Sequence, residues 1–390
     1  MNRFLPTALI SIAVCALPAC AQSQKASNTA STQRAPASTY GQHPEALQWA
    51  QQLSQQQGID YTWLQSQLGK AQKSAQVRRL MTPATGPKKT TTARSWADYR
   101  GRFIDPVRIR AGEQFWQENA AALERAHQTY GVPPEIVVGI IGVETIYGRN
   151  MGNFRVLDAL ATLAFDYPSN HPRLAERTAY FQGELAQFLT NAWSQQQDPT
   201  RALGSFAGAT GLGQFMPSSL ARFGVDFDGD GKVDMANSAA DAIGSVANYF
   251  RGHGWVPNMP VHYDVAFNPA GADMATLLAP DILPTFTASR MVELGAIPLG
   301  GGLRHEGPLA LVELLNGDSA PTYVAGTQNF YAITRYNQSS SYAMAVNDLG
   351  QEVAAARRDK QAAAAAAEQA RSATGTPATE NSVQTAPAAQ

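Results

Sequence analysis

Residues Glu135–Gly148 read EIVVGIIGVETIYG, an apolar run of helical length with a carboxylate near each end. Pro133-Pro134 precedes it, and proline suits a first helical turn, where the amides lack partners anyway. In the helix this predicts, Val137, Ile140 and Ile141 share a face with Glu144 at i, i+3, i+4 and i+7 spacing. Glu135 falls in the first turn, where the helix dipole favours a carboxylate and nothing more need be explained. Glu144 has aliphatic neighbours instead, and Gly142 and Gly148 thin the wall beside it. A carboxyl pressed against apolar groups loses hydration of its charged form, so its pKa rises. Such a group can hold a proton near neutral pH and donate it to a leaving oxygen. The structural alternative is a buried glutamate satisfied by a backbone amide or by Arg149, and the helix alone does not choose.

Outward from that helix, Gly204–Pro217 reads GSFAGATGLGQFMP. Its glycines allow tight turns and close backbone approach to a ligand. The spacing fits neither a dinucleotide fingerprint nor a phosphate loop, and Ser205 is in no nucleophile elbow. Asp226–Asn237, DFDGDGKVDMAN, follows the calcium loop of an EF-hand. Asp226, Asp228, Asp230, Lys232 and Asp234 take positions 1, 3, 5, 7 and 9, with Gly231 at the sharp turn. Position 12 is Asn237 rather than a bidentate glutamate; a longer loop would bring Asp241 round instead, and both closures stand. A single loop does not make a calcium sensor, so the expectation is one structural Ca2+, clipping the helix after Pro217 to a helix over 241–250.

The chain of 390 residues carries a net charge of −1, which gives no field to attract nucleic acid. With 44% hydrophobic and 16% charged residues, a packed core is expected rather than a disordered polyelectrolyte. Residues 1–20 read as a secretory leader, and both cysteines, Cys15 and Cys20, lie in it, so the mature fold has no disulfide to form. Cys20 after Leu17-Pro18-Ala19 resembles a bacterial lipobox; Ala19-Cys20-Ala21 also suits an ordinary cleavage site, giving a soluble periplasmic form. Residues 21–42 read as a flexible tether and 43–130 as a helical region, with two short helices broken at Gly58 and a longer one over 113–130. A core over 131–256 follows, with further helices over 156–164 and 173–195. Residues 257–350 read as a mixed α/β lobe built on the β-prone runs HYDVAF, ALVELL, PTYVAG and FYAIT. The Ala/Gln-rich tail, 351–390, is expected to extend a helix and then fray. The fold class is mainly α, in the α+β sense.

Taken together, GVET at Glu144, GSFAGATGLGQFMPSS, the acidic loop, DAIGSVANYF and NFYAITRYN closely resemble the lytic murein transglycosylase B family over about 96–350. The resemblance implies a lysozyme-like helical core and cleavage of the β-1,4 bond between N-acetylmuramic acid and N-acetylglucosamine. It implies a 1,6-anhydromuramoyl product, with Glu144 as the single acid and base and no cofactor for the chemistry. The residues that match sugar-binding positions are Tyr99, Ser205, Phe206, Gln214, Tyr249, Asn329, Tyr331 and Tyr336. The partners implied are peptidoglycan strands, a membrane reached through lipidated Cys20, and proteins of cell-wall synthesis or remodelling, all in the periplasm. A hydrolase leaving a reducing sugar end and a non-catalytic murein-binding scaffold are the alternatives.

Overall fold

The computed structural model describes residues 38–83, 95–268 and 270–373. The leader, Cys20, most of the tether and the end of the tail lie outside them. The glutamate helix runs Pro134–Thr145, with Ile136–Val143 and Thr145 buried. It packs lengthwise against the C-terminal helix Ser340–Ala373. The crossing is close because three glycines sit in it. A Cβ on Gly139 would meet the Val346 carbonyl oxygen at 2.2 Å, and one on Gly350 would meet the Glu135 carbonyl oxygen at 2.0 Å. One on Gly142 would lie 2.7 Å from the Leu349 side chain.

Three apolar clusters result. The first surrounds the glutamate helix with helices Pro106–Glu118, Ala120–Tyr130, Ala239–Gly252 and Gln328–Thr334 and the C-terminal helix. In the second, helices Pro44–Gln57, Tyr61–Lys70 and Ala75–Met81 cover Val156–Phe165 and Leu174–Ser194. The stretch 43–130 therefore divides between two cores, because its helices bury their apolar faces on different partners. The third cluster lies under the larger sheet.

Two short strands, β1 (Phe154–Arg155) and β2 (Leu203–Gly204), pair with each other. The larger sheet is antiparallel in the order β4-β3-β6-β5, from β3 (His262–Phe267), β4 (Ala296–Pro298), β5 (Ala310–Asn316) and β6 (Ser319–Gly326). HYDVAF, ALVELL and PTYVAG thus lie on β3, β5 and β6.

Three expectations need correction. FYAIT is helical, within Gln328–Thr334: the Thr327 hydroxyl accepts the Asn329 amide at 3.0 Å, and this cap together with burial of Phe330 and Ile333 overrides β-propensity. The helix expected over 113–130 is two helices, broken at Asn119, whose side chain donates to the Phe115 carbonyl at 2.8 Å. Residues 39–42 belong to the folded body, not the tether. Tyr40 is fully buried with its hydroxyl donating to Asp166 at 2.6 Å, and Thr39 bridges to Gln72.

The glycine crossing makes a paired prediction. Gly139→Ala drives its methyl into backbone, which cannot swing aside, and should cost about 2 kcal/mol. Gly183, exposed inside the helix Leu174–Ser194, has nothing within 4 Å of an added Cβ. Gly183→Ala should therefore gain about 0.5–1 kcal/mol. Denaturant melts of both variants, moving in opposite directions, check the crossing.

Candidate active site

Glu144 lies in the last turn of its helix and is half-buried, not sealed. Burial pushes its carboxyl up to about 7, and a hydrogen bond from the Tyr342 hydroxyl to Oε1, 2.5 Å long, opposes the rise. Among the described residues, Oε2 accepts no hydrogen bond, and neither a cation nor a second carboxylate perturbs the group. Arg149 is exposed and does not pair with it.

Among the described residues, four phenols feel the charge of this carboxyl, and Tyr342 bonds it directly. Burial, and then the Glu144 charge, raise Tyr99 to about 12. The same two causes, in the same order, raise Tyr336 and Tyr342 well above an ordinary phenol. Tyr249 is raised by burial and, more weakly, by Glu144. Tyr99 comes from the short helix Trp96–Gly101, and Tyr249 from Ala239–Gly252. The Tyr336 hydroxyl donates to the Gly213 carbonyl at 2.7 Å, tying it to the glycine-rich turn. The Tyr249 hydroxyl donates to the Arg335 carbonyl at 2.6 Å, and the ring packs 4.7 Å from Tyr336. Tyr249 is itself buried, so it backs the wall.

Tyr342 was not singled out in the sequence. It stands in a run, SSSYAMAVNDLG, whose apolar spacing already explains a buried ring. The available signal was its place on a helical face with Val346 and Leu349, one turn and two turns on.

The other expected residues divide. Gln214 is half-buried at φ 51, and its amide donates to the carbonyls of Met151 and Gly211 at 3.1 and 3.0 Å. Among the described residues, nothing donates to its carbonyl oxygen. The Ser205 hydroxyl accepts the amides of Ala207 and Ala209, so it shapes the turn. Phe206 is half-buried beside Phe154, on the second cluster. Tyr331 is half-buried under the Arg335 guanidinium at 4.1 Å. Asn329 does not reach the site. It is fully buried, and its amide bonds the Val256 amide and the carbonyls of Val256 and Met259.

The turn is locked to the glutamate helix. The buried Thr145 hydroxyl lies 2.9 Å from the Leu212 carbonyl oxygen and accepts the Gly148 amide at 3.0 Å. Beyond Thr145 the chain leaves the helix through Ile146 and Tyr147, at φ 52 and 56. Left-handed backbone is costly for these side chains, about 1–3 kcal/mol each.

The acidic loop connects helix Pro217–Phe223 to helix Ala239–Gly252. Carboxylate oxygens of Asp226, Asp228 and Asp230 lie within 4.8 Å of one another. Gly231 turns at φ 88, as a calcium loop requires at its sixth position. This donor set fits a hard divalent cation. The Lys232 side chain carries no part of that fit; its backbone carbonyl would serve. Asp234 accepts the Asn237 side-chain amide at 2.9 Å. The buried Asp241 carboxylate accepts the amides of Phe227, Asp228 and Asp234, reaching the loop from beneath.

Residues 42–351 match the family model described as the transglycosylase SLT domain. The membrane-bound lytic murein transglycosylase B of Escherichia coli (strain K12) is 44% identical over 328 residues, 82% of this chain and 85% of that protein. The solved structure of the Escherichia coli lytic transglycosylase Slt35 in complex with calcium superposes with a TM-score of 0.69 at 44% identity, covering 81% of this chain and 94% of that one. Soluble lytic transglycosylase SltB1 from Pseudomonas aeruginosa gives 0.71 at 39% identity, over 80% and 99%. The fold is therefore the lysozyme-like one of these relatives.

The raised pKa of Glu144 has a consequence for stability. Between the unfolded value, near 4.5, and about 7, the unfolded chain has lost this proton while the folded chain keeps it. Stability from this group is thus highest below pH 4.5, falls as pH rises, and levels off above 7. Glu144→Gln removes the penalty, so it should be more stable than the parent at pH 8, by roughly 2 kcal/mol after allowing for partial solvent access, and show little gain at pH 4.5. Thermal melts of both proteins across that range test it.

Proposed function

The chain belongs to the transglycosylase SLT-domain family, and from that membership we propose a peptidoglycan lytic transglycosylase in which Glu144 is the single acid and base. The observation that carries the assignment is a half-buried carboxyl held near pKa 7 and bonded by the Tyr342 phenol, with no second carboxylate acting on it among the described residues. Ordinary glycosidases divide the work between two carboxylates. Here one suffices, because the nucleophile belongs to the substrate.

Protonated Glu144 gives its proton to the glycosidic oxygen as the C1–O4 bond breaks. Positive charge at C1 is relieved by the substrate's N-acetyl group or by a short-lived oxocarbenium state. The C6 hydroxyl of the same muramoyl sugar then attacks C1, and the Glu144 carboxylate takes up its proton. No water is consumed, the 1,6-anhydro bond closes, and Glu144 ends protonated as it began. Keeping the nucleophile in the substrate makes the second step intramolecular, a large entropic advantage. Tyr342 holds Oε1 and steadies the ionised state between the two transfers. Tyr99, Tyr336, Tyr331, Gln214 and Phe206 line the groove in this reading, with Tyr249 and Ser205 supporting it from behind.

The working unit in this reading is the core over 131–256 completed by the lobe over 257–350. Asp226, Asp228, Asp230, the Lys232 carbonyl and Asp234 would hold one Ca2+, with Asn237 or Asp241 closing the shell. The ion would join two helices electrostatically and take no part in proton transfer. Lipidation of Cys20 would keep the enzyme at a periplasmic membrane surface; among the described residues, no helix is long and apolar enough to cross one.

Two experiments follow. Glu144→Gln should lower murein lysis at least 100-fold, and the wild-type fragments should weigh one water less than those of a hydrolase; kcat should fall as pH climbs past about 7, where the acid loses its proton. Full lysis by the amide variant, or ordinary reducing ends, would remove the assignment. Separately, Ca2+ added to the chelated protein should raise its melting temperature by several degrees. Asp226→Asn with Asp228→Asn should abolish that shift, and an equal shift in the double variant speaks against the loop.

A further inference from the structure

Outside the Glu144 site, a cleft of about 680 Å3 opens between helix Tyr61–Lys70 and the exit of helix Leu174–Ser194. Its volume lies within the range usual for small-molecule sites. None of its lining residues belongs to the Glu144 site. Two indoles form one corner: Trp63 and Trp193 lie 5.1 Å apart with their planes at 61°. Trp193 is 39% exposed, so part of its ring is open to a ligand.

The remaining lining is polar but nearly neutral. Gln67 is only 4% exposed and accepts from Lys70 Nζ at 3.3 Å, so its amide is fixed in place. Lys70 and Asp198 supply opposite charges. Asp198 is itself pinned, accepting the Thr200 amide and hydroxyl at 3.0 and 2.7 Å. Gln196, also in the lining, stands at φ 52, a left-handed conformation stored where the helix ends.

Each property selects among ligands. The edge-on indole pair, with Trp193 exposed, offers one aromatic surface at the corner, which suits a ring with one apolar face and one polar rim. The fixed Gln67 amide suits a hydroxyl or acetamido group. Balanced charge disfavours a polyanion. We propose that this cleft is a second glycan site, which holds one N-acetylated sugar of a murein strand while another part of the strand, or a neighbouring strand, occupies the groove at Glu144. The assignment rests on murein being the substrate. Two-point attachment raises the effective concentration of glycan at the groove without any new contact there.

The test uses the full chain carrying Glu144→Gln, so retention on isolated sacculi is read without lysis and independently of which group is the acid. Adding Trp193→Ala should lower retention about tenfold, the factor that 1.4 kcal/mol of lost contact produces. Trp193→Phe keeps an aromatic face and should stay within about twofold of the parent. Calorimetric titration with tetra-N-acetylchitotetraose should count two sites per chain in the parent and one in Trp63→Ala/Trp193→Ala. Circular dichroism confirms that the variants fold. Unchanged retention in Trp193→Ala, or a single chitotetraose site in the parent, overturns the proposal.

Discussion

The site depends on how closely two helices approach. Gly139 and Gly142 on one, and Gly350 on the other, remove the side chains that would hold the glutamate helix and the C-terminal helix apart. At that separation the Tyr342 hydroxyl comes within 2.5 Å of Glu144 Oε1. An ångström of added spacing would break this bond and admit water to the carboxyl. Water would lower its pKa towards the ordinary range and remove its capacity to carry a proton at neutral pH. Glu144 also stands in the last turn of its helix, where the negative end of the dipole disfavours a charge. Packing, dipole and burial therefore act in the same direction. Tyr342 alone opposes them, so the carboxyl is held near neutrality rather than far above it.

Strained backbone lies next to this carboxyl. Ile146 and Tyr147 adopt left-handed conformations that a β-branched and an aromatic residue rarely tolerate. The surrounding bonds hold them there: the amides of Ile146 and Tyr147 donate back to the carbonyls of Gly142 and Ile141, and the Asn150 amide donates to that of Thr145. The helix consequently ends one residue past Glu144, and the chain folds back beneath it instead of covering it.

Much of this was legible because helical periodicity is strong in this chain. The glutamate helix, the break at Gly58 and the stop at Gly131 follow from proline, glycine and apolar spacing, and the structure places all three where they were expected. Glu144 was conspicuous because a polar group among aliphatics needs a reason. Tyr342 was not, since its partner lies 198 residues away and its own helix already accounts for a buried ring. Asn329 looked like a ligand residue, yet its amide is used up by the Val256 and Met259 backbone, a bonding pattern that no local sequence announces. FYAIT misled for a related reason: five residues of β-prone composition weigh less than one threonine cap and the pocket that receives Phe330 and Ile333.

The acidic loop and the glutamate are further apart in sequence than in bonding. Thr145 meets the Leu212 carbonyl, and the Leu212 amide donates to the Met235 carbonyl at 2.8 Å. Gly211, between them, leaves no room for a side chain: a Cβ there would meet the same Met235 oxygen at 2.4 Å. The end of the glutamate helix, the glycine-rich turn and the loop are thus three layers joined by two hydrogen bonds and one backbone-to-backbone contact. Asp241 fixes the floor of the loop from beneath by accepting three of its amides, so the fold itself specifies the loop's shape. On the outer side, the clustered carboxylates of Asp226, Asp228 and Asp230 are met by loop amides and the Ser238 hydroxyl, which soften their mutual repulsion. Met235 and Leu212 connect the loop to Thr145, the residue beside Glu144. A cation held at the loop would therefore be joined to the end of the glutamate helix through these backbone bonds.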